Sequence, residues 1–250
     1  MFLEIGPGTG ALTLPLAAAG APVLAVEVDR RLFADLLPHV PPNVTMLEAD
    51  ILTADVVPYL TGLEPQRGPR PAGDAPPARR FRVVGNLPYY IATPILFRLI
   101  GLQRQDACFT DATLMVQREV ADRLLARPGS KAYGVLTILL RLHATITRLL
   151  DVPPGAFVPK PQVHSTVLRL TFTPPAVFIG DLQLFERLVK ALFSQRRKTL
   201  ANALKRFDPT GSAVLALAGL DGRRRPETLD LEELARLADL FASGRRPAVL

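Results

Sequence analysis

The sequence Gly6-Pro7-Gly8-Thr9-Gly10 directly follows the apolar run Phe2–Ile5 near the start of the chain. The apolar run predicts a buried β-strand, and the closely spaced glycines predict a tight turn after it. A helix is expected to begin near residues 9–12, where its free N–H groups favour a carboxylate or a phosphate. The stretch therefore predicts a turn whose backbone approaches a bound ligand at one end of a sheet.

A second informative segment, Asn86-Leu87-Pro88-Tyr89-Tyr90, combines an amide, a proline turn and two aromatic rings. An amide can exchange hydrogen bonds with the edge of a base, and an aromatic ring can stack on its face. We therefore expect a planar base to bind beside a nucleotide-like cofactor.

Apolar and β-branched runs alternate with helical patterns along most of the chain, which predicts a parallel β-sheet of the α/β class. Proline-rich segments separate the last two runs and favour a hairpin over a crossover, so one end of the sheet is expected to be antiparallel. The seven predicted strands are residues 2–5, 22–28, 44–48, 81–85, 113–116, 144–150 and 165–172.

A domain boundary is predicted near Thr173, because the pattern after Pro174-Pro175 is helical to the end of the chain. We therefore expect a main domain over residues 1–173 and a small all-helical domain over residues 174–250. Within the helical part, Asp230 and Glu233 have the spacing of a capping box at the start of a helix.

Residues 61–80 are rich in proline, glycine and arginine and contain almost no large apolar side chain. Such a segment buries too little surface to offset the entropy of ordering, so it is predicted to be a flexible surface insertion. A basic arm that touches nucleic acid is the alternative interpretation.

The charge of the chain is unevenly distributed. The 250 residues carry a net charge of +7, yet residues 1–50 hold two arginines against six acids, a net of −4, which leaves +11 for the remainder. This asymmetry favours a polyanionic partner for the later part of the chain, although a coding bias toward arginine is the simpler alternative.

The single cysteine, Cys108, excludes an intrachain disulfide, and the three histidines are too far apart in sequence to suggest a metal cluster. We expect neither a membrane span nor an export signal.

A basic face is predicted within residues 185–205, where at about 100° per residue five cations fall in one arc opposite the apolar residues. These cations are Arg187, Lys190, Arg197, Lys198 and Lys205. Arg196 instead falls within the apolar arc, so we expect the helix to break near Ser194-Gln195 rather than to bury an ion pair. The basic face indicates either RNA contact or a solvated surface.

Two acids end predicted strands where an adenosine-containing cofactor can be held. Glu27 ends the second strand, where a carboxylate can accept hydrogen bonds from both ribose hydroxyls, and Asp50 ends the third, within reach of an adenine amine. A solvated carboxylate or a helix cap is the alternative for either acid alone. The pattern Gly6-x-Gly8-x-x-Ala11 also fits a dinucleotide fingerprint, so these residues leave the choice of cofactor open.

Eight segments together resemble the ribosomal RNA adenine dimethyltransferase family. They are residues 4–10, 26–29, 48–50, 85–91, 117–121, 130–134, 153–161 and 194–200. The similarity extends over nearly all of residues 2–241 apart from residues 61–80. Within the family, the helical tail and residues 195–199 are most similar to the bacterial small-subunit enzymes.

The resemblance implies a Rossmann-like, seven-stranded S-adenosylmethionine-dependent methyltransferase sheet with a small all-helical C-terminal domain that binds RNA. It implies that S-adenosylmethionine donates two methyl groups in turn to N6 of adenines in a hairpin of small-subunit (16S) ribosomal RNA. The expected partner is the immature 30S particle, and the expected protein is a cytoplasmic monomer without a metal or a membrane anchor.

The resemblance also implies roles for individual residues. The expected cofactor-binding residues are Gly6, Gly8, Gly10, Glu27, Asp50 and Asn86. The side-chain oxygen of Asn86 and the carbonyl of Leu87 can each accept an N–H bond from adenine N6 and so direct its lone pair at the methyl group. Pro88 fixes the turn that aims this carbonyl. Tyr89 and Phe157 are expected to stack on opposite faces of the extruded base.

Two features depart from the family pattern. Family members carry a segment similar to Gln-Asn-Phe-Leu that closes over the cofactor before the first strand, whereas here Met1 directly precedes that strand, so no such lid is expected in these 250 residues. Tyr90 replaces the Asn or Ser that is usual after Asn-Leu-Pro-Tyr, which is expected to alter the space around the second methyl group.

Other functions remain compatible with parts of the sequence. A noncatalytic RNA-binding assembly or transcription factor on the same scaffold would use the basic face without methyl transfer. A large-subunit rRNA methyltransferase of the macrolide-resistance type would share the core motifs. A nicotinamide-dependent dehydrogenase would explain the glycines but leaves residues 86–90 without a task.

Overall fold

The fold is described from a computed structural model, in which residues 1–63 and 81–244 are described. The predicted insertion at residues 61–80 therefore lies almost entirely outside the described residues. The seven strands are β1 (Phe2–Ile5), β2 (Val23–Glu27), β3 (Val44–Glu48), β4 (Phe81–Asn86), β5 (Phe109–Gln117), β6 (Ala144–Val152) and β7 (Ser165–Phe172). They form one sheet in the order β3-β2-β1-β4-β5-β7-β6.

The sheet confirms the predicted parallel arrangement with an antiparallel end. Strands β1 to β5 pair in parallel, and β7 pairs antiparallel to β5. β6 is the neighbour of β7 at the sheet edge, as expected for a hairpin connection. The central strands β1 and β2 are almost completely buried because helices cover parallel sheets on both faces.

Strand β5 begins at Phe109, four residues before the position predicted from the sequence. The prediction was too short because Asp111 interrupts the apolar pattern. In the sheet, the Asp111 carboxylate accepts three hydrogen bonds from the guanidinium of Arg82 on β4, the shortest at 2.7 Å, so its charge is neutralised. The same contact raises the pKa of Arg82.

The helices follow the expected alternation with the strands. They are α1 (Thr13–Ala18), α2 (Arg30–Leu36), α3 (Val57–Gly62), α4 (Ala92–Asp106), α5 (Arg118–Leu125), α6 (Val135–His143), α7 (Leu182–Ser194), α8 (Leu200–Phe207), α9 (Gly211–Ala218) and α10 (Leu231–Gly244). The expected helix start near residues 9–12 agrees with the structure, in which Leu12 is the N-cap of α1 and Thr13 is its first residue. Gly8 and Gly10 have positive φ angles of 57° and 85°, so the chain continues as turns over these residues before the helix forms.

Two compact units are distinguished by their internal contacts. The first comprises residues 1–121 and 145–172, and the second comprises residues 122–144 and 173–250. The second unit begins again at Thr173, where the sequence predicts a boundary, but it also includes residues 122–144. This segment joins the helices because α6 and the turn before it pack there: the ring of Tyr133 meets that of Phe193 edge-on, with centroids 5.9 Å apart.

The helical unit is held by buried apolar faces and by polar caps. Asp181 caps α7 by accepting a hydrogen bond from Leu184 N at 2.9 Å. The predicted capping box is confirmed: Asp230 Oδ1 accepts from Glu233 N at 2.8 Å, and Glu233 Oε2 accepts from Asp230 N at 3.1 Å. The fully buried residues of α10 include Leu234 and Leu237, which lie three residues apart on one face of the helix.

Glu233 also forms a bidentate ion pair with Arg224, with N···O distances of 2.6 and 2.8 Å. The guanidinium donates a further bond to the carbonyl of Thr228 at 2.8 Å, so the pair ties the loop before α10 to the first turn of that helix. Hydrogen bonding to Arg224 lowers the pKa of the Glu233 carboxyl below its ordinary value of 4.5.

We predict that Arg224→Met lowers the free energy of unfolding of the protein by about 1–2 kcal/mol at neutral pH. This loss lies between those expected for exposed and for buried ion pairs, because the pair is partly exposed. Because the pKa of Glu233 is lower in the folded state, the contribution of the pair is present above pH 4.5 and is lost as the pH falls through the folded-state pKa. The variant should therefore lose less stability than the wild type between neutral and acidic pH in urea denaturation.

The matched control is Arg223→Met. Arg223 pairs with Asp221 at 3.0 Å, but its side chain is 91% exposed, so its removal should change stability by no more than about 0.5 kcal/mol. Equal effects of the two substitutions would contradict the role assigned to the Arg224 pair.

Candidate active site and nucleic-acid interface

The glycine turn after β1 is bonded to the carboxylate that ends β2. Glu27 is 5% exposed; its Oε2 accepts a hydrogen bond from Gly8 N at 3.2 Å, and its Oε1 accepts one from Asp29 N at 2.9 Å. A carboxylate has about four lone-pair positions, so Glu27 retains acceptor capacity for a ligand hydroxyl. The structure thus brings together the turn and the acid that the sequence singled out.

The glycines of this region serve two different purposes. A Cβ atom added at Gly6 or Gly8 would meet no atom of the described residues within 4 Å, so their backbone borders open space there. A Cβ at Gly10 would lie 2.7 Å from Leu36 Cδ1, and one at Gly85 would lie 2.7 Å from the carbonyl oxygen of Ile5. Gly6 and Gly8 therefore leave room for a ligand, whereas Gly10 and Gly85 permit close packing.

Asp50 follows β3 on the same edge of the sheet. Its Oδ1 accepts a hydrogen bond from Leu52 N at 2.9 Å, which shapes the loop after the strand. The backbone beside it is tied to β2, since Ala49 N donates to the carbonyl of Glu27 at 2.9 Å. On the far side of the loop, Arg98 donates to the carbonyl of Ala54 at 2.9 Å. The two acids of the predicted cofactor site thus occupy neighbouring, connected strand ends.

Glu4, in the middle of β1, is a buried acid that the sequence analysis did not assign to the site. It is 1% exposed, and its Oε2 has no hydrogen-bond partner among the described residues. Burial raises the pKa of the Glu4 carboxyl, and the charge of Glu27 raises it further. The signal in the sequence was a charged residue inside an apolar strand.

The segment after β4 forms a tight turn. Leu87 N donates to the carbonyl of Met115 at 3.0 Å, and Ile91 N donates to the carbonyl of Pro88 at 3.1 Å. Leu87 is buried, whereas the side chain of Asn86 is exposed. The phenolic oxygen of Tyr89 lies 2.7 Å from Ser165 Oγ, which fixes the direction of its ring.

The sheet topology places these elements at one edge. The glycine turn follows β1, Glu27 ends β2, Asp50 follows β3 and Asn86 ends β4, and these four strands are parallel. The strand order reverses between β1 and β4, since β2 and β3 lie on one side and β5 on the other. In open parallel sheets, ligands bind outside the carboxyl ends of the strands at such a reversal.

Phe157 lies in the connection between β6 and β7, after a short 3-10 helix (Pro154–Ala156). Its side chain is half-buried, and its N–H donates to the carbonyl of Pro154 at 3.3 Å. The connection ends at Ser165, the partner of Tyr89. The expected position of Phe157 on the second face of a base stays a prediction.

The predicted break near Ser194-Gln195 is confirmed, since α7 ends at Ser194 and α8 begins at Leu200. Arg196 lies in the intervening turn, where its guanidinium donates to the carbonyls of Lys131 and Tyr133 at 2.9 Å each. It also lies 5.9 Å from the centre of the Phe193 ring. Arg196 thus supports the helical unit through backbone contacts rather than through a buried ion pair.

The five predicted RNA-binding cations are divided between two helices and the turn. Arg187 and Lys190 lie on α7, Arg197 and Lys198 lie in the turn, and Lys205 lies on α8. Lys190 has an acidic neighbour, with its Nζ 3.8 Å from the Glu186 carboxylate.

A cavity of about 480 Å³ opens beside this turn. It is lined by Phe193, Ser194, Gln195, Arg196, Arg197, Lys198 and Arg206. Among the described residues no acidic side chain lines it, so the cavity concentrates positive potential. Arg206 was not among the cations predicted from the sequence. It directly follows Lys205 near the end of α8, and this adjacency could have identified it as part of the basic surface.

A smaller cavity of about 200 Å³ borders Gly8 and Thr9 on the side of α2 and contains neither Glu27 nor Asp50. Among the described residues, no helix is long and apolar enough to span a bilayer. The same residues contain no cluster of three or more His, Cys, Asp or Glu arranged to hold a metal ion.

Comparison with known proteins gives a consistent result along the whole chain. The family model for ribosomal RNA adenine dimethylase matches residues 1–243. The ribosomal RNA small subunit methyltransferase A of Geobacter sulfurreducens is 46% identical over 252 residues, covering 97% of this chain and 86% of the relative. The protein of the same name from Anaeromyxobacter sp. (strain K) is 46% identical over 239 residues, covering 94% of this chain and 81% of the relative.

Two solved structures share the fold. A dimethyladenosine transferase from Plasmodium falciparum has a TM-score of 0.70 and 23% identity, covering 97% of this chain and 90% of the other. The 23S rRNA methyltransferase ErmE has a TM-score of 0.63 and 27% identity, covering 96% of this chain and 90% of the other. The expected family is thus confirmed, and the chain belongs to the ribosomal RNA adenine dimethylase family, with its Rossmann-like S-adenosylmethionine-dependent methyltransferase fold.

Proposed function

We propose that the protein is an enzyme that transfers two methyl groups in turn from S-adenosylmethionine to N6 of adenines in a hairpin of small-subunit (16S) ribosomal RNA. The observation that carries this proposal is the exposed Asn86 at the end of β4, on the sheet edge that also bears the glycine turn and the Glu27 carboxylate. Relatives named ribosomal RNA small subunit methyltransferase A support the choice of RNA.

The residues at the sheet edge fit an adenosine-containing methyl donor. The open space beside Gly6 and Gly8 admits a ligand against the backbone, Glu27 can accept bonds from ribose hydroxyls, and Asp50 can accept a bond from the adenine amine. When bound there, S-adenosylmethionine supplies an electrophilic methyl carbon on a positively charged sulfur. Gly10 contributes by close packing against α2 rather than by contact with the ligand.

The turn after β4 is suited to activate an adenine amine. The amine is a poor nucleophile because its lone pair is delocalised into the ring. The Asn86 side-chain oxygen and the Leu87 carbonyl can accept its two N–H bonds, which favours a tetrahedral nitrogen and directs the lone pair out of the ring plane. Pro88 lacks an N–H, and its carbonyl is bonded to Ile91, so this geometry is set before the base arrives.

Tyr89 supplies the surface on which the extruded base rests. Its hydroxyl contact with Ser165 holds the ring in place, and base–aromatic stacking contributes about 1–3 kcal/mol. Phe157 covers the opposite face of the base in this proposal. After methyl transfer the nitrogen is strongly acidic and can lose its proton to water, so no side chain is assigned as a general base.

The helical unit contributes RNA binding. Arg197, Lys198 and the newly identified Arg206 line one cation-rich cavity, which suits the phosphate backbone of a folded RNA. Arg187, Lys190 and Lys205 extend the basic surface in the proposal. We place the RNA-binding domain at residues 174–250 and the catalytic domain at residues 1–173.

We infer that the protein acts on the immature 30S particle, as a monomer in the cytoplasm.

A large-subunit rRNA methyltransferase is the second candidate, because ErmE shares 27% identity over nearly the whole chain. Transfer of a radiolabelled methyl group from S-adenosylmethionine to purified immature 30S particles, compared with transfer to 23S RNA, separates the two. We expect labelled N6,N6-dimethyladenosine in the small-subunit particles only. Label confined to 23S RNA would favour the second candidate, and no label in either RNA would favour a noncatalytic assembly factor.

We predict that Asn86→Ala lowers the rate of methyl transfer by about 100-fold or more while S-adenosylmethionine affinity stays nearly unchanged, because an aligned transition-state acceptor is lost. Single-turnover transfer and calorimetric titration of the methyl donor measure the two quantities. Asn86→Asp keeps acceptor oxygens and should lose less activity than Asn86→Ala. A parallel loss of affinity and rate would contradict the proposed role.

We predict that the double substitution Arg197→Ala and Lys198→Ala weakens binding of the RNA hairpin and reduces the slope of log affinity against log salt concentration by about 1 to 2. Titrations at several salt concentrations measure this slope. Arg223→Ala removes an exposed cation that is already paired with Asp221 and should leave the slope unchanged. An unaltered slope in the double variant would assign these cations to solvated surface.

A further inference from the structure

Tyr90 is the most exposed aromatic side chain beside the proposed active site. Its side chain is 84% exposed, although it directly follows Tyr89, whose hydroxyl is bonded to Ser165. Both tyrosines occupy the central positions of the turn closed by Ile91 N and the carbonyl of Pro88. The turn therefore directs two consecutive rings differently, one toward β7 and one into solvent.

The surroundings of this turn within the α/β unit are also exposed. Gln117 at the end of β5 pairs with Ser165 at the start of β7, so the connection before Ser165 lies at the same edge of the sheet. Val158 in that connection is 101% exposed, and Val163 is 41% exposed. Apolar side chains and the exposed Lys160 therefore lie along the connection that reaches the partner of Tyr89.

An isolated exposed apolar side chain is common on proteins and needs no explanation. Tyr90 differs because the backbone on both sides of it is fixed: the turn precedes α4, and Ile95 N donates to the carbonyl of Ile91 at 3.0 Å. A ring on such a rigid support loses little conformational entropy when it is covered. An exposed ring at a fixed position beside a base-binding turn is suited to stacking on a second base.

The 84% exposure of Tyr90 leaves its ring available to RNA that approaches the turn. The expected effect of Tyr90 on the space around the second methyl group stays a prediction.

We propose that Tyr90 is a second stacking platform, which receives the unpaired base adjacent to the target adenine while Tyr89 receives the target itself. This inference rests on the proposed function. It specifies the substrate as an RNA in which an unpaired nucleotide flanks the methylated adenine, whatever the identity of that base, because stacking is tolerant of sequence.

The first experiment measures hairpin affinity for Tyr90→Phe, Tyr90→Leu and Tyr90→Ala. Tyr90→Phe should bind like the wild type, whereas Tyr90→Leu and Tyr90→Ala should bind about 10-fold more weakly because they lack a π-face. The slope against salt concentration should not change, since stacking neutralises no phosphate. Phe178→Ala is the matched control: Phe178 is 86% exposed in the helical unit, near the acids Asp181 and Asp239, and its loss should leave affinity unchanged.

The second experiment pairs the protein variants with altered RNA. Hairpins with an abasic site on one or the other side of the target adenine lack the proposed partner base. With the correct abasic hairpin, the wild type should lose about 10-fold in affinity, and Tyr90→Ala should lose nothing further. Additive losses at both positions would overturn the proposal.

A third measurement reports stacking directly. The chain contains no tryptophan, so Tyr90→Trp creates a single fluorophore at the turn. RNA should quench its emission and protect it from acrylamide, whereas the tryptophan of Phe178→Trp should respond to neither. Absence of quenching in Tyr90→Trp at saturating RNA would overturn the proposal.

The failure of this inference is distinguishable from the failure of the proposed function. If the wild type methylates the hairpin but no Tyr90 variant changes its affinity, the second platform is excluded and the proposed function stands. If the wild type transfers no methyl group to any ribosomal RNA, the proposed function itself fails.

Discussion

The hydrogen bond from the Gly8 amide to the Glu27 carboxylate joins the two strand ends on which the candidate site is built. It holds the glycine turn after β1 against the end of β2, and the second Glu27 oxygen fixes the start of the following segment through Asp29 N. The contact is possible because β1 and β2 are parallel neighbours, so their carboxyl ends coincide. A charged acceptor at this place is compatible with burial because two backbone donors satisfy it.

A second close contact places the reacting turn beside this one. A Cβ at Gly85 would lie 2.7 Å from the Ile5 carbonyl, so β4 approaches β1 more closely than a side chain would allow. Asn86 follows immediately and emerges at the same edge as the glycine turn. The strand order reverses between β1 and β4. In open parallel sheets, the helices that follow two such strands cover opposite faces, so a crevice forms between them.

Local patterns predicted much of this architecture. All seven strands, the antiparallel end and the capping box at Asp230 follow from periodicities and cap chemistry that act over a few residues. The early part of β5 was missed because the charge of Asp111 is neutralised by Arg82, a residue 29 positions away. The start of α1 also follows from local sequence, since its N-cap, Leu12, lies within the predicted range.

For the candidate site, too, the sequence predicted the features that depend on local patterns and missed those that depend on contacts between distant residues. The glycine turn, Glu27, Asp50 and Asn86 were predicted, because each stands at a strand end and parallel strands bring those ends together. Glu4 was not assigned, although a charged residue inside an apolar strand was a signal; the extent of its burial is visible only in the structure. Arg206 was missed because the sequence predicts the break after α7 but not the consequence of that break. The turn brings residues of two helices around one cavity.

The physical rule applied to Arg196 is correct, but the contacts that its side chain makes could not be predicted from the sequence. An unpaired charge in an apolar helix face is costly, and the chain avoids this cost by ending α7 two residues earlier. The guanidinium then bonds two backbone carbonyls, which are available only because residues 131–133 belong to the same unit. Adjacent arginines therefore have different functions. Arg196 stabilises the turn through these two hydrogen bonds, whereas Arg197 lines the cavity.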